Sequence, residues 1–256
     1  MRSPDRQPRR DSGSGRTGPR ATSGRAADVL RPAFKRFLWN SYDHIGLLVL
    51  ANLLWFALLI PVVTAPAATA GLFQIARKIS DHEPAAIRDF FEGFRRHFAP
   101  ALRAGAITLG LAVVLWVNVD FYSHLHGRAS VPGMLLAAIM VWLALFLLLI
   151  QAHLFPLIVG GERSTRQAFR KAALLTLDNP GYTIGLTIQA ISVAALCVLT
   201  GAGLVLAIGS LLAVLLSTGH RELLKKYFPD SPAASEPEET RTLGDAWRPW
   251  EPRRRE

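Results

Sequence analysis

The sequence predicts an all-α fold, a polytopic bundle of transmembrane helices with amphipathic helices at the membrane interface. Half of the 256 residues are hydrophobic and 19% are charged, whereas a soluble domain normally distributes its charges along the chain. Here the runs 44–76, 131–161 and 181–219 contain no Asp, Glu, Lys or Arg. Uncharged runs of this length can cross a hydrocarbon core of roughly 30 Å, so they indicate membrane spans.

The charge balance favours a membrane protein over a nucleic-acid-binding protein. The formal net charge is +10, a value that would also suit a nucleic-acid-binding domain. In a membrane protein, however, such an excess is expected because basic residues resist translocation and collect in cytoplasmic loops. The charged residues of this chain are confined to the segments between apolar runs. We therefore expect no nucleic-acid partner.

Cysteine usage and the N-terminus add two expectations. The single cysteine, Cys197, lies inside an apolar run, which excludes an intramolecular disulfide and predicts a buried small hydrophobic side chain. The first 43 residues are rich in Arg but contain no apolar h-region. A cleaved secretory signal is therefore not expected.

The two ends of the chain differ in composition from the rest. Residues 1–27 are mainly Arg, Gly, Ser and Pro, and residues 229–256 are rich in Pro, Glu and Arg. Such segments bury too little apolar surface to offset the entropy of ordering, so both are predicted to be disordered tails. A G-x-G-x-x-G spacing begins at Gly13, but no strand precedes it and no helix follows, so it predicts no phosphate-binding loop.

Residues 28–228 form the predicted membrane domain, with five long or six shorter membrane segments. The count depends on how the first and the last apolar run are divided. Pro61 and Pro66 lie within the first run, and Gly201–Gly203 lies within the last. Because proline and glycine are unfavourable inside helices, each run can be divided at these residues into two shorter helices. The predicted segments are 44–60, 62–76, 101–122, 131–159, 182–200 and 203–218.

Two amphipathic helices are predicted to lie in the membrane interface. In residues 28–42, apolar and aromatic side chains share one helical face, with Arg31, Lys35 and Arg36 elsewhere. In residues 87–98 an aromatic stripe lies opposite several arginines. That stripe is formed by Phe90, Phe91, Phe94 and Phe98. Aromatic faces of this kind are predicted to enter the lipid while the arginines reach the headgroups.

The distribution of basic residues predicts the topology. If the run 44–76 enters the membrane and returns as a hairpin through Pro61–Pro66, 28 of the 29 Lys and Arg residues lie on one side, and only Arg128 lies on the other. A single crossing would instead place the basic loop 77–103 opposite the basic N-terminus. Because basic loops determine orientation, the hairpin with both termini in the cytoplasm is predicted. Whether 62–76 crosses fully or re-enters is left open.

Between Asn52 and Phe98 the chain carries the features of a known family. These features are Asn52, Trp55, the Pro61-Val62-Val63-Thr64 turn, Ala67–Ala70, Arg77-Lys78, Asp89-Phe90-Phe91 and Phe94-Arg95. They resemble the YesL-like family of bacterial integral membrane proteins, whose domain has no known function. Asn179-Pro180 and the LLKKYF sequence are similar too, so the resemblance covers roughly residues 37–228. It implies an association with carbohydrate uptake systems and brings no catalytic residues.

Few side chains in the sequence offer chemistry. Asp120, His124 and His126 lie near the outer end of one segment, but their spacing is loose and a firm third ligand is missing, so a metal site is not expected. Asp120 and Asn118 are functional candidates because they lie near the membrane. No Ser/His/Asp set, HExxH motif, nucleotide loop or pair of intramembrane carboxylates appears. The sequence predicts no catalytic, cofactor-binding or metal-binding residue, and a protein that is not an enzyme.

Several intramembrane polar residues are predicted to have packing roles. Gln151 and His153 precede Pro156, and side chains at such a kink often satisfy the freed backbone groups. Asn52 and Gln189 are predicted to form interhelical hydrogen bonds. Small residues at four-residue steps are predicted to let helices approach closely. These are Ala104, Thr108 and Ala112, and Gly209, Ala213 and Ser217.

The leading hypothesis is a non-enzymatic accessory or assembly factor of a membrane transport system, acting in the bacterial inner membrane. Its expected partners are the lipid bilayer, a transport complex and, as a further candidate, a second copy of the chain. The segment 162–180 is predicted to dock on a partner through an apolar face that includes Phe169 and Leu177, or to rest on anionic lipid through its basic residues. The rival hypothesis is a transporter, whose polar midplane site would be built from Asn52, Gln74, Gln151 and Gln189.

Overall fold

The computed structural model describes residues 22–124, 130–162 and 164–227, and these form helices joined by short turns. The helices are α1 (Thr22–Asp43), α2 (Ile45–Leu59), α3 (Ala65–Ser80), α4 (Ile87–Arg96), α5 (Phe98–Ser123), α6 (Ser130–Val159), α7 (Thr165–Asp178), α8 (Pro180–Leu199), α9 (Ala202–Leu206) and α10 (Ile208–Tyr227). The described residues contain no strand. The all-α class is therefore confirmed for them.

Three helices in the described residues are long and apolar enough to cross a membrane: α5, α6 from Val131 onward, and α8. Residues Leu30–Asp43 of α1 and all of α2 meet the same criteria together, although the two helices are bent by 87° at His44. The structure thus has three candidate spans, or up to four if the bent pair is one span. The predicted total of five or six segments stays a prediction.

Each predicted segment has a helix at or near its position, but the bounds differ for 62–76, where α3 covers Ala65–Ser80, and at the two ends of the membrane domain. Helix α1 begins at Thr22, before the predicted domain start at residue 28, and residues 1–21 and 228–256 lie outside the described part. The predicted segment 203–218 is not one helix. It consists of α9 and the first half of α10, which are separated at Ala207.

Helix α3 is the centre of the bundle. It lies against α2, α4, α5, α6 and α10, and most of its side chains are buried. Ala67, Ala68 and Ala70 are fully enclosed, because their small side chains let the neighbouring helices approach closely. The aromatic ring of Phe73 stacks on that of Phe155 in α6, with 5.4 Å between the ring centroids.

Helix α4 packs on α3 rather than on lipid. Phe90 is fully buried against Gly71, and Phe94 is half-buried against the same core. Phe91 is the exposed member of this part of the stripe. The expectation that Phe90 enters the lipid was wrong, because the glycine at position 71 leaves room for the ring inside the protein.

The predicted amphipathic helix at 28–42 is partly buried by the protein, while its Leu38 and Tyr42 side chains are exposed. Phe37 and Trp39 of α1 are buried, and α1 packs against α10 and α8. Arg36, which the sequence places away from the apolar face, is buried as well, and its Nε lies 3.4 Å from a carboxylate oxygen of Glu222 in α10. The ion pair allows a charged side chain to lie inside the helix contact.

A prediction concerns the contact between α3 and α4. A Cβ atom at Gly71 would lie 2.8 Å from the Phe90 carbonyl oxygen, whereas one at Gly46 in α2 would meet nothing within 4 Å. Overpacking costs about 1–3 kcal/mol, which exceeds the gain of up to about 1 kcal/mol from replacing a helical glycine by alanine. We expect Gly71→Ala to lower the thermal unfolding temperature in detergent and Gly46→Ala to maintain or raise it. Equal temperatures for the two variants would contradict the close contact.

Candidate functional site

The candidate functional site is a cavity of about 550 Å³ at one end of the bundle. It lies between the C-terminal ends of α3, α6 and α10 and one side of α7. These are the elements that carry the basic segments predicted to share one side of the membrane. Charged residues of α3, the α6–α7 connection and α10 all line it. The structure therefore brings the ends of α3, α6 and α10 together with α7 at one end of the bundle, and the hairpin topology stays a prediction.

Ion pairs neutralise most of the charges in the cavity wall. The Arg221 Nε lies 3.0 Å from a carboxylate oxygen of Asp81, which joins α10 to α3. Lys171 of α7 pairs with Glu162 in the α6–α7 connection. Two lining charges stand outside these pairs. They are Asp178, which is exposed, and Arg77, which is partly buried.

The buried Nε of Arg77 has no hydrogen-bond partner among the described residues. Its neighbour Lys78 points elsewhere and donates to an Asp89 carboxylate oxygen at 2.8 Å. Burial and the positive charges of Arg96 and Arg77 hold the pKa of His97 below its usual value. Within the described chain the Arg77 guanidinium has no carboxylate ion-pair partner, although Asp81, Glu162 and Asp178 line the same cavity.

Asp89 connects α4 to the end of α3. One carboxylate oxygen accepts from Lys78, and the other accepts from the Ala86 backbone N–H at 2.8 Å, ahead of the first turn of α4. Burial opposes ionisation of this carboxyl, but the bonds from Lys78 and Ala86 outweigh burial, so the Asp89 pKa lies below its usual value. The ionised carboxylate therefore stabilises both the start of α4 and its contact with α3.

A buried histidine pair lies behind the cavity. The Nδ1 atoms of His153 in α6 and His220 in α10 are 3.3 Å apart, and the His153 Nε2 lies 3.1 Å from the Thr183 Oγ1 in α8. His153 was expected to satisfy backbone groups freed by Pro156, and that expectation was wrong. Its ring nitrogens instead connect three helices through side chains, and His220 also lines the cavity.

Asn52 holds together two helices that are far apart in sequence. Its side-chain N–H donates to the Val205 carbonyl at 2.7 Å, and its carbonyl oxygen accepts from the backbone N–H groups of Gly209 and Ser210 at 2.8 and 3.1 Å. The break at Ala207 leaves the first N–H groups of α10 without helical partners, and the Asn52 amide satisfies two of them. The predicted interhelical role of Asn52 is confirmed.

The other predicted polar residues differ in outcome. Gln151 donates to the Thr108 Oγ1 at 3.0 Å and thereby connects α6 to α5, not to the backbone near the proline. The Gln189 Oε1 is buried without a hydrogen-bond partner among the described residues, so its predicted interhelical bond is not formed there. Gln74 is buried beside Gly93 of α4, and its Oε1 has no described partner either.

The predicted outer candidates do not form a site in the described residues. Asp120 and His124 are exposed, with their nearest side-chain atoms 3.6 Å apart. The Asn118 side chain donates to the Val114 carbonyl of its own helix. His126 lies outside the described part, and no group of three metal-ligating side chains occurs within it. Cys197 is buried, as predicted.

Helix α7 carries an exposed surface next to the cavity. Its buried side consists of Ala168 and Ala172, which pack with α6, while Phe169 is half-buried in the same cluster. Phe169 was expected to face a partner, but it contacts the protein's own core. The outward side carries Arg166, Arg170, Leu174 and Leu177, and Leu177 is 63% exposed.

Sequence reasoning missed the cavity itself. Its wall combines residues from four helices that are separated by up to 150 positions along the chain, and no local spacing relates them. The signal that was available is the position of Arg77-Lys78 at the end of an uncharged run. That position predicts a basic helix end but does not say which carboxylates reach it.

A prediction tests the role of Asn52. The Asn52→Leu change leaves three backbone groups without partners, at about 1–3 kcal/mol for each group that stays buried. Gln151→Leu, the matched control, removes one bond between side chains, and such bonds average roughly 0.6 kcal/mol in membrane helices. We expect Asn52→Leu to lower the thermal unfolding temperature in detergent clearly more than Gln151→Leu does. Similar losses in the two variants would show that Asn52 does not cap α10.

Comparison with known proteins gives a family match over part of the chain. No curated protein and no solved structure matches the chain. Residues 48–119 match the profile of a family described as a protein of unknown function, DUF624. The matched part runs from α2 to α5 and includes Asn52, Gly71 and the Lys78–Asp89 pair. The chain therefore combines a domain similar to this uncharacterised family with helices that are long and apolar enough to span a membrane.

Proposed function

We propose that this protein is a non-enzymatic accessory or assembly factor of a membrane transport system in the bacterial inner membrane. In this proposal it crosses the membrane several times, and both termini are cytoplasmic. The end of the bundle that contains the cavity and α7 then faces the cytoplasm. The distribution of Lys and Arg supports this orientation, since 28 of the 29 residues belong to segments assigned to that side.

The observation that carries the proposal is the exposed surface of α7. Arg166, Arg170, Leu174 and Leu177 lie at spacings of three and four residues, which places them on one helical face. Leu174 and Leu177 are 49% and 63% exposed. Two exposed leucines next to two arginines give α7 a surface that can contact an amphipathic partner.

The chemistry of this surface defines the partner. An amphipathic helix with apolar residues in the middle and carboxylates at one end would match the leucines and the arginines. The surface is held in place because Ala168 and Ala172, on the opposite side of α7, are fully buried against the bundle. A partner therefore meets a preformed surface, and little ordering entropy opposes binding.

The transporter alternative has less support. A transporter needs polar groups that are free to bind substrate near the membrane midplane. Both polar atoms of the Asn52 amide are bonded to backbone groups, and Gln151 is bonded to Thr108. Gln74 and Gln189 keep unpartnered side-chain oxygens, but Gln74 is enclosed between α3 and α4. The resemblance to YesL-like proteins supports an association with a carbohydrate uptake system. It does not support transport of a carbohydrate by this chain itself.

A labelling experiment tests the orientation. Single cysteines replace Arg170, which is exposed on α7, and Val62, which is exposed in the turn between α2 and α3, in a Cys197→Ala background. We expect a membrane-impermeant thiol reagent to label Val62→Cys in intact spheroplasts, from which the outer membrane has been removed. Arg170→Cys should react only after lysis. Labelling of Arg170→Cys from outside would reverse the proposed orientation.

A crosslinking experiment tests the contact surface. Leu177→Asp places a carboxylate at the exposed apolar patch of α7, and Phe91→Asp does the same on α4, where the 45% exposed ring also lies among arginines. After crosslinking in native membranes, we expect Leu177→Asp to reduce the yield of a transport-complex partner at least about ten-fold, equivalent to 1.4 kcal/mol. Phe91→Asp should leave it unchanged. Equal yields from wild type and Leu177→Asp would refute docking through α7.

A further inference from the structure

We propose that the cavity at the charged end of the bundle binds an amphiphile that carries a phosphate or carboxylate group. The cavity measures about 550 Å³, within the range of small-molecule sites. Its wall joins α3, α6, α7 and α10, so a bound molecule contacts all four helices. This inference does not depend on the accessory role, because its anion-binding group is Arg77 of α3; the outward face of α7 shares only Leu174 with the cavity wall.

Arg77 provides the anion-binding group. Arg77 lines the cavity, and its buried Nε makes no hydrogen bond to the described residues. The other lining cations already have carboxylate partners, Arg221 with Asp81 and Lys171 with Glu162. A buried N–H group without an acceptor is costly, and the planar guanidinium that carries it matches phosphate and carboxylate oxygens.

The formal charges of the wall sum to zero when Asp178 is included, but the two charges without an ion pair among the described residues, Arg77 and Asp178, differ in burial. Asp178 is exposed at the rim, where water solvates its carboxylate. Arg77 is partly buried and has less access to water. Because charge interactions are stronger in a less polar environment, the interior of the cavity attracts an anion more strongly than the rim repels it.

A second donor lies in the same wall. Ser217 of α10 is 6% exposed, and its buried hydroxyl has no hydrogen-bond partner among the described residues. One turn later His220 also lines the cavity and uses its Nδ1 for His153. The Ser217 O–H is therefore available to donate to an oxygen of an anion bound in the cavity that Arg77 also lines.

Much of the remaining wall is apolar, although Ser80 and Tyr227 also line it. Pro156 and Leu157 of α6, Leu174 of α7 and Leu224 of α10 form this part. A purely ionic ligand would leave these side chains exposed to water, whereas an acyl chain would cover them. A soluble organic phosphate or carboxylate shares the anionic chemistry but lacks the chain.

The experiment measures ligand binding to the full-length protein, purified in a neutral detergent and stripped of lipid. Three probes are compared by native mass spectrometry and thermal unfolding: phosphatidylglycerol, glycerol phosphate and diacylglycerol. The variants are Arg77→Gln, Ser217→Ala and the control Arg95→Gln, an exposed arginine on α4 outside the cavity. We expect phosphatidylglycerol to bind wild type and Arg95→Gln alike, and to bind Arg77→Gln at least about ten-fold more weakly.

The unliganded proteins separate a binding role from a structural one. Arg77→Gln removes a charge that has no described acceptor, so its unfolding temperature without lipid should equal or exceed that of wild type. Ser217→Ala should weaken phosphatidylglycerol binding without unfolding the protein. A marked loss of unliganded stability in Arg77→Gln, with unchanged lipid affinity in Ser217→Ala, would assign both residues to the fold and overturn the proposal.

The three probes identify the source of the anion. Binding of phosphatidylglycerol but not of glycerol phosphate or diacylglycerol supports a membrane lipid. Binding of glycerol phosphate at similar affinity supports a soluble phosphate compound in the same site. Binding of diacylglycerol as strongly as phosphatidylglycerol, equal binding by wild type and Arg77→Gln, or no binding of any probe to wild type would each overturn an anion site at Arg77.

Discussion

The burial of α3 is the constraint on which the rest of the structure depends. This helix is enclosed by α2, α4, α5, α6 and α10, which is possible only because alanines and a glycine line its surface. Gly71 leaves room for the backbone and ring of Phe90. At Gly105 of α5 an added Cβ atom would lie 2.5 Å from Pro66, so this position also requires glycine for close packing. In lipid, helix association depends on such close packing, since hydrocarbon solvates apolar side chains as well as protein does.

The position of α3 also determines the charged end of the bundle. Because its C-terminal turn emerges between α4, α6 and α10, Lys78 reaches Asp89 and Asp81 reaches Arg221. Arg77 lies between these pairs and faces the cavity. The same helix that organises the apolar core thus delivers a partly buried cation to a space lined by both leucines and polar groups.

Amphipathic patterns identified the helices correctly, but they did not show whether lipid or another helix covers the apolar face of each one. The aromatic stripe of α4 and the apolar face of α1 have the pattern of interfacial helices, yet Phe90 and Phe37 are enclosed by protein. Lipid and a protein core favour the same side chains, so a hydrophobic face does not distinguish them. The missing information was the shape of the neighbour, such as the gap that Gly71 leaves on α3. For α7, the same ambiguity placed Phe169 on the wrong side.

The sequence by itself determined the helical class, most helix boundaries and the separation of apolar runs from basic segments, because these follow from local composition and from the length needed to cross a bilayer. It also indicated that Asn52 bonds across helices. Only the tertiary structure decided which partner each polar group has: Val205, Gly209 and Ser210 for Asn52, and Glu222 for Arg36. Those residues lie more than 150 positions away, and helix packing, not local sequence, brings them together.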